Sequence, residues 1–258
     1  MKEKGTIHPV TDVIYRVNAI FGELGFVKVD GPEMETEYYN FDVLNVPKDH
    51  PARDMQDTFW LERTETDEKG EHKMLLRTQT SAIQAHFMET NKPPFKMVCP
   101  GKVFRQEATD ATHETQFYQF EGMMVDKNVT MGDLKSVLNY FFDKFFGKDV
   151  EVRFRPSYFP FVEPGTEIDI SCFKCNHGEV GCPVCKGGGW VEVMGAGMIH
   201  PKVLQNGGIN PKEFTGFAFG GSIERLAMYK YGIDDIRLLY SGDLRLVNQF
   251  ETDSETKI

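Results

Sequence analysis

The sequence predicts an α+β fold, a largely antiparallel β-sheet with helices on one side. Three observations lead to this prediction. Segments typical of strands mostly follow one another at hairpin-like spacing, which favours antiparallel neighbours. Helical periodicity is confined to four segments, at residues 9–24, 81–89, 130–146 and 222–232. A small cysteine-rich hairpin, residues 172–188, is inserted between two strands of the same sheet.

The first third of the chain supplies one helix, one short strand and one hairpin. Residues 9–24 place Ile14, Val17 and Phe21 on one helical face, and Pro9 suits the first turn. A short strand at 26–29 follows and stops at a Gly-Pro pair. Residues 40–57 predict a long polar loop, which its length marks as functional. Residues 58–76 predict a hairpin with an acidic tip.

The remainder alternates strands with three helices. A helix capped by Ser81 spans 81–89, and strands are predicted at 97–98, 102–105 and 116–125. The clearest helix, 130–146, has Thr130 as its cap, Asp133 at the third position and Gly147 at its end. Strands over 150–171 and 189–199 flank the cysteine-rich insert. The last predicted helix runs over 222–232.

Composition and charge narrow the class of protein. The 258 residues are 40% apolar and 26% charged, which is ordinary for a soluble globular protein. We expect a single domain over residues 1–258, located in the cytoplasm and without a membrane segment, since no apolar run approaches the ~18 residues of a membrane helix. The net charge of −10 makes the chain a poor solitary binder of nucleic acid.

The segment 216–227, Gly-Phe-Ala-Phe-Gly-Gly-Ser-Ile-Glu-Arg-Leu-Ala, predicts a nucleotide site. A strand rich in Phe and Gly runs into a turn and then into a helix whose first turn carries Glu224 and Arg225. Glycines let a flat ligand lie against bare backbone, and the arginine is fixed on a rigid element facing the same space.

Four of the five cysteines form the pattern Cys172-x2-Cys175-x6-Cys182-x2-Cys185. Two such knuckles on a hairpin can present four thiolates tetrahedrally, which predicts a structural zinc site in a reducing compartment. Disulfides are the weaker alternative there.

Three groups of segments carry a resemblance to a known family. They are 41–45 with 50–55; 101–107 with 113 and 117–122; and 155–164 with 195–201 and 216–227. Over about residues 8–250 the chain closely resembles the catalytic domain of the bacterial phenylalanyl-tRNA synthetase alpha subunit, a class II aminoacyl-tRNA synthetase. The resemblance implies a class II antiparallel sheet flanked by helices, with ATP and L-phenylalanine bound on its surface and transfer to tRNA(Phe). Some members of the family carry a similar four-Cys insert and others lack it, so we expect catalysis not to need it.

Amino-acid activation needs positioned cations, because a carboxylate that is already ionised attacks the α-phosphorus of ATP and no general base is required. Arg105, at the end of a predicted strand, and Arg225, on the helix after the glycine turn, are the two residues that we expect to fill this role. The resemblance implies that they bind ATP phosphates and sandwich the adenine against Phe117. It also implies a magnesium ligand shared with the beta subunit at Glu163. The remaining nucleotide-contacting residues it implies are Glu107, His113 and Gly220.

Aromatic residues, taken together with the resemblance, predict the amino-acid pocket; on their own, phenylalanines in this pattern more often indicate a hydrophobic core. Phe159 and Phe161 alternate along a predicted strand and should therefore share a face, where they can meet a substrate ring edge to face. The resemblance implies that Ala218 lies at the para end of that ring. It also implies four polar residues that hold the substrate ammonium and carboxylate: Ser81, Gln84, Gln119 and Glu121.

The chain departs from the family pattern in three places. The family's alpha subunit usually begins with a helical arm that contacts tRNA, whereas this sequence starts almost at the catalytic domain, so we expect weak tRNA binding. Ser222 follows Gly220 and Gly221 where many relatives have Gly-x-Gly; its hydroxyl can cap the next helix. Gln79 stands where some relatives have His.

Two other functions compete with phenylalanine activation. One is an adenylate-forming paralogue with another amino acid, against which the phenylalanines and Ala218 argue. The other is a non-catalytic binding module, which would have no use for both Arg105 and Arg225. The resemblance also implies a partner: relatives form a dimer of alpha–beta pairs, and a lone alpha chain would self-associate through the same surface.

Overall fold

The computed structural model describes residues 5–49, 58–147, 150–175, 178–182 and 184–250. Residues 50–57 of the predicted polar loop lie outside these ranges. The α-helices are α1 Pro9–Glu23, α2 Ala82–Thr90, α3 Met131–Phe146, α4 Pro201–Asn206, α5 Ile223–Tyr231 and α6 Leu244–Val247, with a π-helical turn at Tyr38–Asp42 and a 3-10 turn at Ile236–Tyr240. The strands are β1 Val27–Lys28, β2 Met34–Thr36, β3 Trp60–Asp67, β4 Gly70–Leu76, β5 Phe95–Phe104, β6 Gln116–Asp126, β7 Val152–Phe159, β8 Val162–Ser171, β9 Trp190–Ile199 and β10 Thr215–Ser222.

A seven-stranded sheet forms the centre of the molecule, in the order β1-β5-β6-β10-β9-β8-β7. All its pairs are antiparallel except β1 with β5, so the predicted largely antiparallel sheet is confirmed. A smaller antiparallel sheet, β2-β4-β3, contains the predicted hairpin. The glycine-rich strand β10 lies at the centre of the large sheet, between β6 and β9.

Helices cover both faces of the large sheet, so the prediction that they lie on one side is wrong. One core cluster joins α1, α3 and α5 to one face, and a second joins α2 and α4 to the other. Strand β5 shows why: Val98 belongs to the first cluster, whereas Met97 and Cys99 belong to the second. Because side chains alternate along a strand, a strand that is apolar at successive positions must be covered on both faces.

Phenylalanine rings fill the first core and bring β10 close to β6. Phe219 of β10 stacks on Phe21 of α1 with ring centroids 4.9 Å apart. Its ring also lies over Gly122 of β6, where a Cβ atom would collide with the ring carbons. Ala218, one residue earlier, points into the second core and the cleft described below. Strand β10 therefore separates an aromatic core from the site.

The long predicted helices are confirmed, and their ends follow the sequence signals. Thr130 accepts a hydrogen bond from the backbone of Asp133 and forms a complete capping box. Ser222 caps α5 and Gly232 ends it in the left-handed conformation. Ser81 precedes α2, but its side chain makes no cap bond there; its hydroxyl donates to Glu121 instead. That carboxylate is the better acceptor partner for a buried hydroxyl.

Short elements escaped the sequence analysis. The six-residue helix α4, the 3-10 turn at Ile236–Tyr240 and α6 were not predicted, so α5 is not the last helix. The two strand segments predicted at 97–98 and 102–105 form one continuous strand, β5. Within the described ranges, none of the helices has the length and apolar character needed to cross a membrane.

Candidate active site

A cleft of about 540 Å³ opens beside the central strands. Its size is within the range typical of small-molecule sites. The ends of β7 and β10, the first half of β6, the middle of β9 and the loop 105–115 form its walls. The predicted site residues that line it are Ser81, Arg105, Glu107, His113, Phe117, Gln119, Glu121, Phe159, Phe161, Ala218, Gly220 and Arg225.

Arg105 lies immediately after β5, where the chain leaves the sheet. Its Nε donates to the carbonyl of Thr78 at 3.1 Å, and its guanidinium carbon lies 5.2 Å from the centroid of the Phe117 ring. Burial lowers the pKa of Arg105, and the nearby charge of Arg225 lowers it further, while Glu107 opposes both. Arginine still stays protonated. Two cations that act on each other across a cleft favour an anion between them.

Arg225 lies in the first turn of α5 and is tied to β9. Its Nη1 donates to the carbonyl of Glu192 at 3.1 Å and lies 3.7 Å from the Glu192 carboxylate. Its backbone N–H donates to the cap hydroxyl of Ser222 at 3.2 Å. About a third of the side chain remains exposed towards the cleft. The guanidinium is therefore oriented yet accessible.

The loop between β5 and β6 carries Glu107 and His113. Nδ1 of His113 lies 3.0 Å from the carboxylate of Asp110, and the backbone N–H groups of Thr112 and His113 donate to that same carboxylate. These bonds hold the pKa of Asp110 well below its usual range. The backbone N–H of Ile236 donates to the carbonyl of Ala111 at 2.9 Å and docks the loop on the 3-10 turn. The loop thus has an ordered shape.

Glu121 is a buried carboxylate at the cleft floor. Ser81 Oγ donates to it at 2.9 Å, and Gln84 Nε2 donates to its other oxygen. Burial raises the pKa of Glu121 to about 8, although both hydrogen bonds oppose the shift. None of the described residues forms an ion pair with it. A buried carboxylate that has only neutral donors is costly when ionised, so it favours a cationic ligand.

Gly220 and Gln119 complete the polar end. A Cβ atom at Gly220 would lie 2.7 Å from Oε2 of Glu121, so a larger residue would displace the carboxylate. Gln119 Oε1 accepts from the backbone of Thr80 at 3.3 Å, which leaves its amide nitrogen as a donor beside the cleft.

Two phenylalanines line the apolar end. The rings of Phe159 and Phe161 stack with centroids 5.7 Å apart and planes 20° apart. Phe159 ends β7, but Phe161 lies in the turn before β8, so the predicted strand alternation is not what brings them together. Gly195 of β9 admits the ring of Phe159, because a Cβ there would lie 3.0 Å from it. Ala218 lines the same end.

Two predicted residues are not part of the cleft wall. Gln84 is buried in α2, and its Nε2 donates a hydrogen bond to the Glu121 carboxylate. Glu163 of β8 has a side chain 76% exposed and lies 3.6 Å from Nε2 of His200. Neither residue lines the cleft.

Two acidic residues that support the site were not among the predicted site residues. Glu192 looks like a solvated strand residue in the sequence but holds Arg225. Glu224 is fully buried, accepts from the backbone N–H of Tyr118 at 2.7 Å and from the hydroxyl of Tyr240, and has its pKa raised to about 7 by burial. The glutamate beside Arg225 was visible in the motif, but its partners come from distant segments.

The four cysteines of the insert converge. Their Sγ atoms all lie within 4.8 Å of one another, with Cys175 and Cys185 at 3.4 Å and Cys172 and Cys182 at 3.9 Å. Four sulfurs at about 2.3 Å from one zinc ion would be a little under 4 Å apart. The cluster therefore fits a tetrahedral zinc ion.

Comparisons with known proteins show the family of the chain. The family model described as "tRNA synthetases class II core domain (F)" matches residues 1–250. The chain is 53% identical over 249 residues to the phenylalanine--tRNA ligase alpha subunit of Bacillus subtilis (strain 168), which covers 96% of this chain and 69% of that protein. It is 52% identical over 246 residues to the alpha subunit of Clostridium perfringens (strain SM101 / Type A), with coverage of 95% and 69%.

Among solved structures, the pyrrolysyl-tRNA synthetase of Desulfitobacterium hafniense superposes with a TM-score of 0.63. The match covers 91% of this chain and 74% of that one at 16% identity. At this identity the likeness shows a shared fold.

Proposed function

Because the chain belongs to the class II tRNA synthetase core family, among the phenylalanine--tRNA ligase alpha subunits, we propose that its cleft activates L-phenylalanine with ATP and passes it to tRNA(Phe). One observation carries the proposal. A buried carboxylate without an ionic partner among the described residues, Glu121, lies on the floor of the same cleft whose wall carries Arg105 and Arg225. Such a cleft suits a zwitterion beside a polyphosphate.

The first half-reaction joins the two substrates. An oxygen of the phenylalanine carboxylate forms a bond to the α-phosphorus of ATP, the bond from that phosphorus to the bridging oxygen breaks, and pyrophosphate leaves with the electron pair. The nucleophile is already ionised, so the barrier is mainly charge repulsion and alignment. Arg105 and Arg225 would neutralise the phosphates, and Glu121 would hold the ammonium group.

In the second half-reaction, a terminal ribose hydroxyl of the tRNA attacks the carbonyl carbon of phenylalanyl-adenylate. The carbon–oxygen bond to the phosphate breaks, AMP leaves with the electron pair, and the hydroxyl proton passes to the departing phosphate oxygen as the new ester forms.

For the nucleotide, we propose that the adenine lies between Phe117 and the guanidinium of Arg225. The guanidinium of Arg105 already packs on Phe117 at 5.2 Å, which keeps this ring at the edge of the cleft. Glu107 and His113, in the docked loop, would contact the base and the phosphates, and Gly220 leaves bare backbone beneath them.

For phenylalanine, we propose that the benzyl ring lies against Phe159 and Phe161 with Ala218 at its para end. Edge-to-face pairs contribute about 0.5–1.5 kcal/mol each beyond area burial. Ser81 and Gln84 orient Glu121, and Gln119 would bind the substrate carboxylate. A mainly apolar wall rejects the extra hydroxyl of tyrosine only about 10²-fold.

Two metals accompany this function. The family generally uses ATP with Mg²⁺, whose charge shields the phosphates. Because Glu163 lies outside the cleft wall and is exposed, we propose it as a surface magnesium ligand completed by a beta subunit. A structural Zn²⁺ on the four thiolates would close the hairpin and take no part in the chemistry.

The partner we propose is a phenylalanyl-tRNA synthetase beta subunit, in a dimer of alpha–beta pairs. The name "alpha subunit" of the relatives implies such a partner. A net charge of −10 also supports it, since phosphate contacts dominate RNA affinity and another chain must supply much of the basic surface.

Pyrophosphate exchange tests the proposal. The chain, assembled with its beta partner, is incubated with ATP, labelled pyrophosphate and each of the twenty amino acids in turn. We expect phenylalanine to support exchange about 10²-fold better than tyrosine. If a different amino acid supports exchange instead, the chain is an adenylate-forming paralogue and that amino acid is its substrate. Absence of exchange together with absence of ATP binding would contradict an enzymatic role.

A further inference from the structure

The four-Cys hairpin, residues 172–188, lies against the nucleotide-binding helix. The ring of Phe173, next to the first cysteine, meets the ring of Tyr229 of α5 edge to face with centroids 5.0 Å apart. The Tyr229 hydroxyl donates to the carbonyl of Ser171 at 2.8 Å. Lys174 lies 3.6 Å from Asp234, just beyond the end of α5. The start of the hairpin is thus fixed to one helix.

That helix also carries Arg225. Residues four apart in an α-helix lie on the same side, one turn from each other, so Tyr229 and Arg225 are neighbours along α5. A displacement of the Tyr229 turn would therefore move the guanidinium as well.

The other end of the hairpin leads into the second support of Arg225. The hairpin leads into β9, which begins at Trp190. Two residues later, the carbonyl of Glu192 accepts a hydrogen bond from Nη1 of Arg225 at 3.1 Å. The N–H of Cys172 donates to the carbonyl of Gly189 at 2.9 Å, which joins the two ends. Both protein supports of Arg225, the helix and the strand, are thus in contact with the hairpin.

We propose that the metal-loaded four-Cys hairpin positions Arg225 for ATP, with Phe173 and Tyr229 as positioning residues. The inference rests on the proposed function, and it differs from the expectation that catalysis does not need the insert. A short glycine-rich hairpin has little internal packing, and a structural metal provides the stability that a core would otherwise give. When the metal is lost, the hairpin no longer supports α5 and β9, and ATP binding weakens.

The first test removes the ring contact. Phe173→Leu, assembled with the beta subunit, is compared by calorimetry with wild type for binding of ATP and of phenylalanine. In Phe173→Leu, we expect the dissociation constant for ATP to be about three- to ten-fold larger and that for phenylalanine to be unchanged. In Phe173→Tyr, which keeps the ring, we expect ATP affinity to return to the wild-type value. Bound zinc is measured in every variant to show that the metal is retained.

Phe250→Leu is the matched control. Phe250 packs on Tyr231 of α5 with ring centroids 4.7 Å apart. Among the described residues of the hairpin, it is Phe173 whose ring packs on α5, and its partner there is Tyr229 rather than Tyr231. We expect its ATP dissociation constant to stay within two-fold of wild type. An equal loss in both variants would mean that any weakening of α5 has this effect, and would overturn the specific role of the hairpin.

The second test removes the metal from wild-type protein with a chelator while the thiols are kept reduced. ATP affinity should fall by the same factor as about one equivalent of zinc is released per chain, and added Zn²⁺ should restore it. Chelated protein that keeps its ATP dissociation constant overturns the proposal, whatever the variants do. Wild-type protein that does not bind ATP at all contradicts the proposed function instead.

Discussion

Glu121, Arg105 and Arg225 are the residues on which the proposed chemistry depends. Each is held by a neutral group of the protein: Glu121 by Ser81, Arg105 by the carbonyl of Thr78, and Arg225 by the carbonyl of Glu192. A neutral partner orients a charged group without neutralising it, which leaves the charge of Arg105 available to a ligand. Arg225 also lies 3.7 Å from the Glu192 carboxylate, and Glu121 becomes charged only when it loses its proton.

Phenylalanine binding should depend on pH through Glu121. Its carboxyl, whose pKa burial raises to about 8, must lose its proton to face the substrate ammonium. Affinity should therefore rise by up to about tenfold per pH unit from pH 6 to 8 and then level off, with a proton released on binding. Calorimetry in buffers of different ionisation enthalpy measures both.

Two variants separate this effect from other titrations. Glu121→Gln should bind phenylalanine weakly with no slope between pH 6 and 8. Glu224, whose pKa is also raised, to about 7, does not line the cleft, so Glu224→Gln should keep the slope. A slope that survives in Glu121→Gln would mean that another group carries the pH dependence.

Removal of either arginine should impair activation more than binding. We expect Arg105→Gln and Arg225→Gln each to lower the exchange rate about 10²- to 10³-fold, because the cations act where charge develops. Arg153→Gln is the control: that arginine stacks on Trp190 at 4.3 Å and does not line the cleft. Equal losses in all three variants would point to a general effect on the sheet.

Ala218 should set the size limit of the pocket. Ala218→Gly removes one methyl group at the proposed para end, so the pyrophosphate-exchange ratio of para-chlorophenylalanine to phenylalanine should rise at least about tenfold. If that ratio is unchanged, Ala218 does not lie at the para end of the substrate ring.

Motif residues were predictable because their positions depend on local sequence. Arg105 follows a strand and Arg225 opens a helix, and the cleft contains both. Glu192 was not predictable, since a glutamate on a strand usually points to water, and its role depends on an arginine 33 positions away. Glu224 likewise bonds to Tyr118, 106 positions earlier, which no local pattern reports.

Among the secondary-structure elements, length decided what could be foreseen. Helices α1 and α3 span about four turns each and show a clear apolar face with cap signals. Helix α4 has six residues, too few for a periodic pattern, and it is stabilised by burial of Val203 and Leu204. The second helical layer was missed because strands buried on both faces do not alternate clearly.

The contact between β6 and β10 should be sensitive to a single methyl group. A Cβ at Gly122 would collide with the Phe219 ring, so Gly122→Ala should lower the free energy of unfolding by about 1–3 kcal/mol. Gly22→Ala is the matched control: apart from the backbone of its own helix and its chain neighbours, no described atom lies within 4 Å of a Cβ there, and α1 should gain about 0.5–1 kcal/mol. Urea denaturation measures both, and a Gly122→Ala chain as stable as wild type would contradict this packing.

For the whole molecule, the large sheet brings the proposed sites for both small substrates together in one cleft. The central strand β10 contributes Ala218 to the amino-acid end and Gly220 to the polar end, and α5, directly after it, carries Arg225. In the proposed function, the tRNA and the beta subunit would bind around this cleft. The family could be predicted from the sequence because its motifs are spread over the whole fold in a fixed order.

A crystal structure with phenylalanine and a non-hydrolysable ATP analogue tests the central claim most directly. We expect the ammonium within hydrogen-bond distance of Glu121, the benzyl ring against Phe159 and Phe161, and the phosphates contacted by both Arg105 and Arg225. A complex in which either guanidinium lies away from the nucleotide, or in which the amino acid binds outside this cleft, would contradict the account.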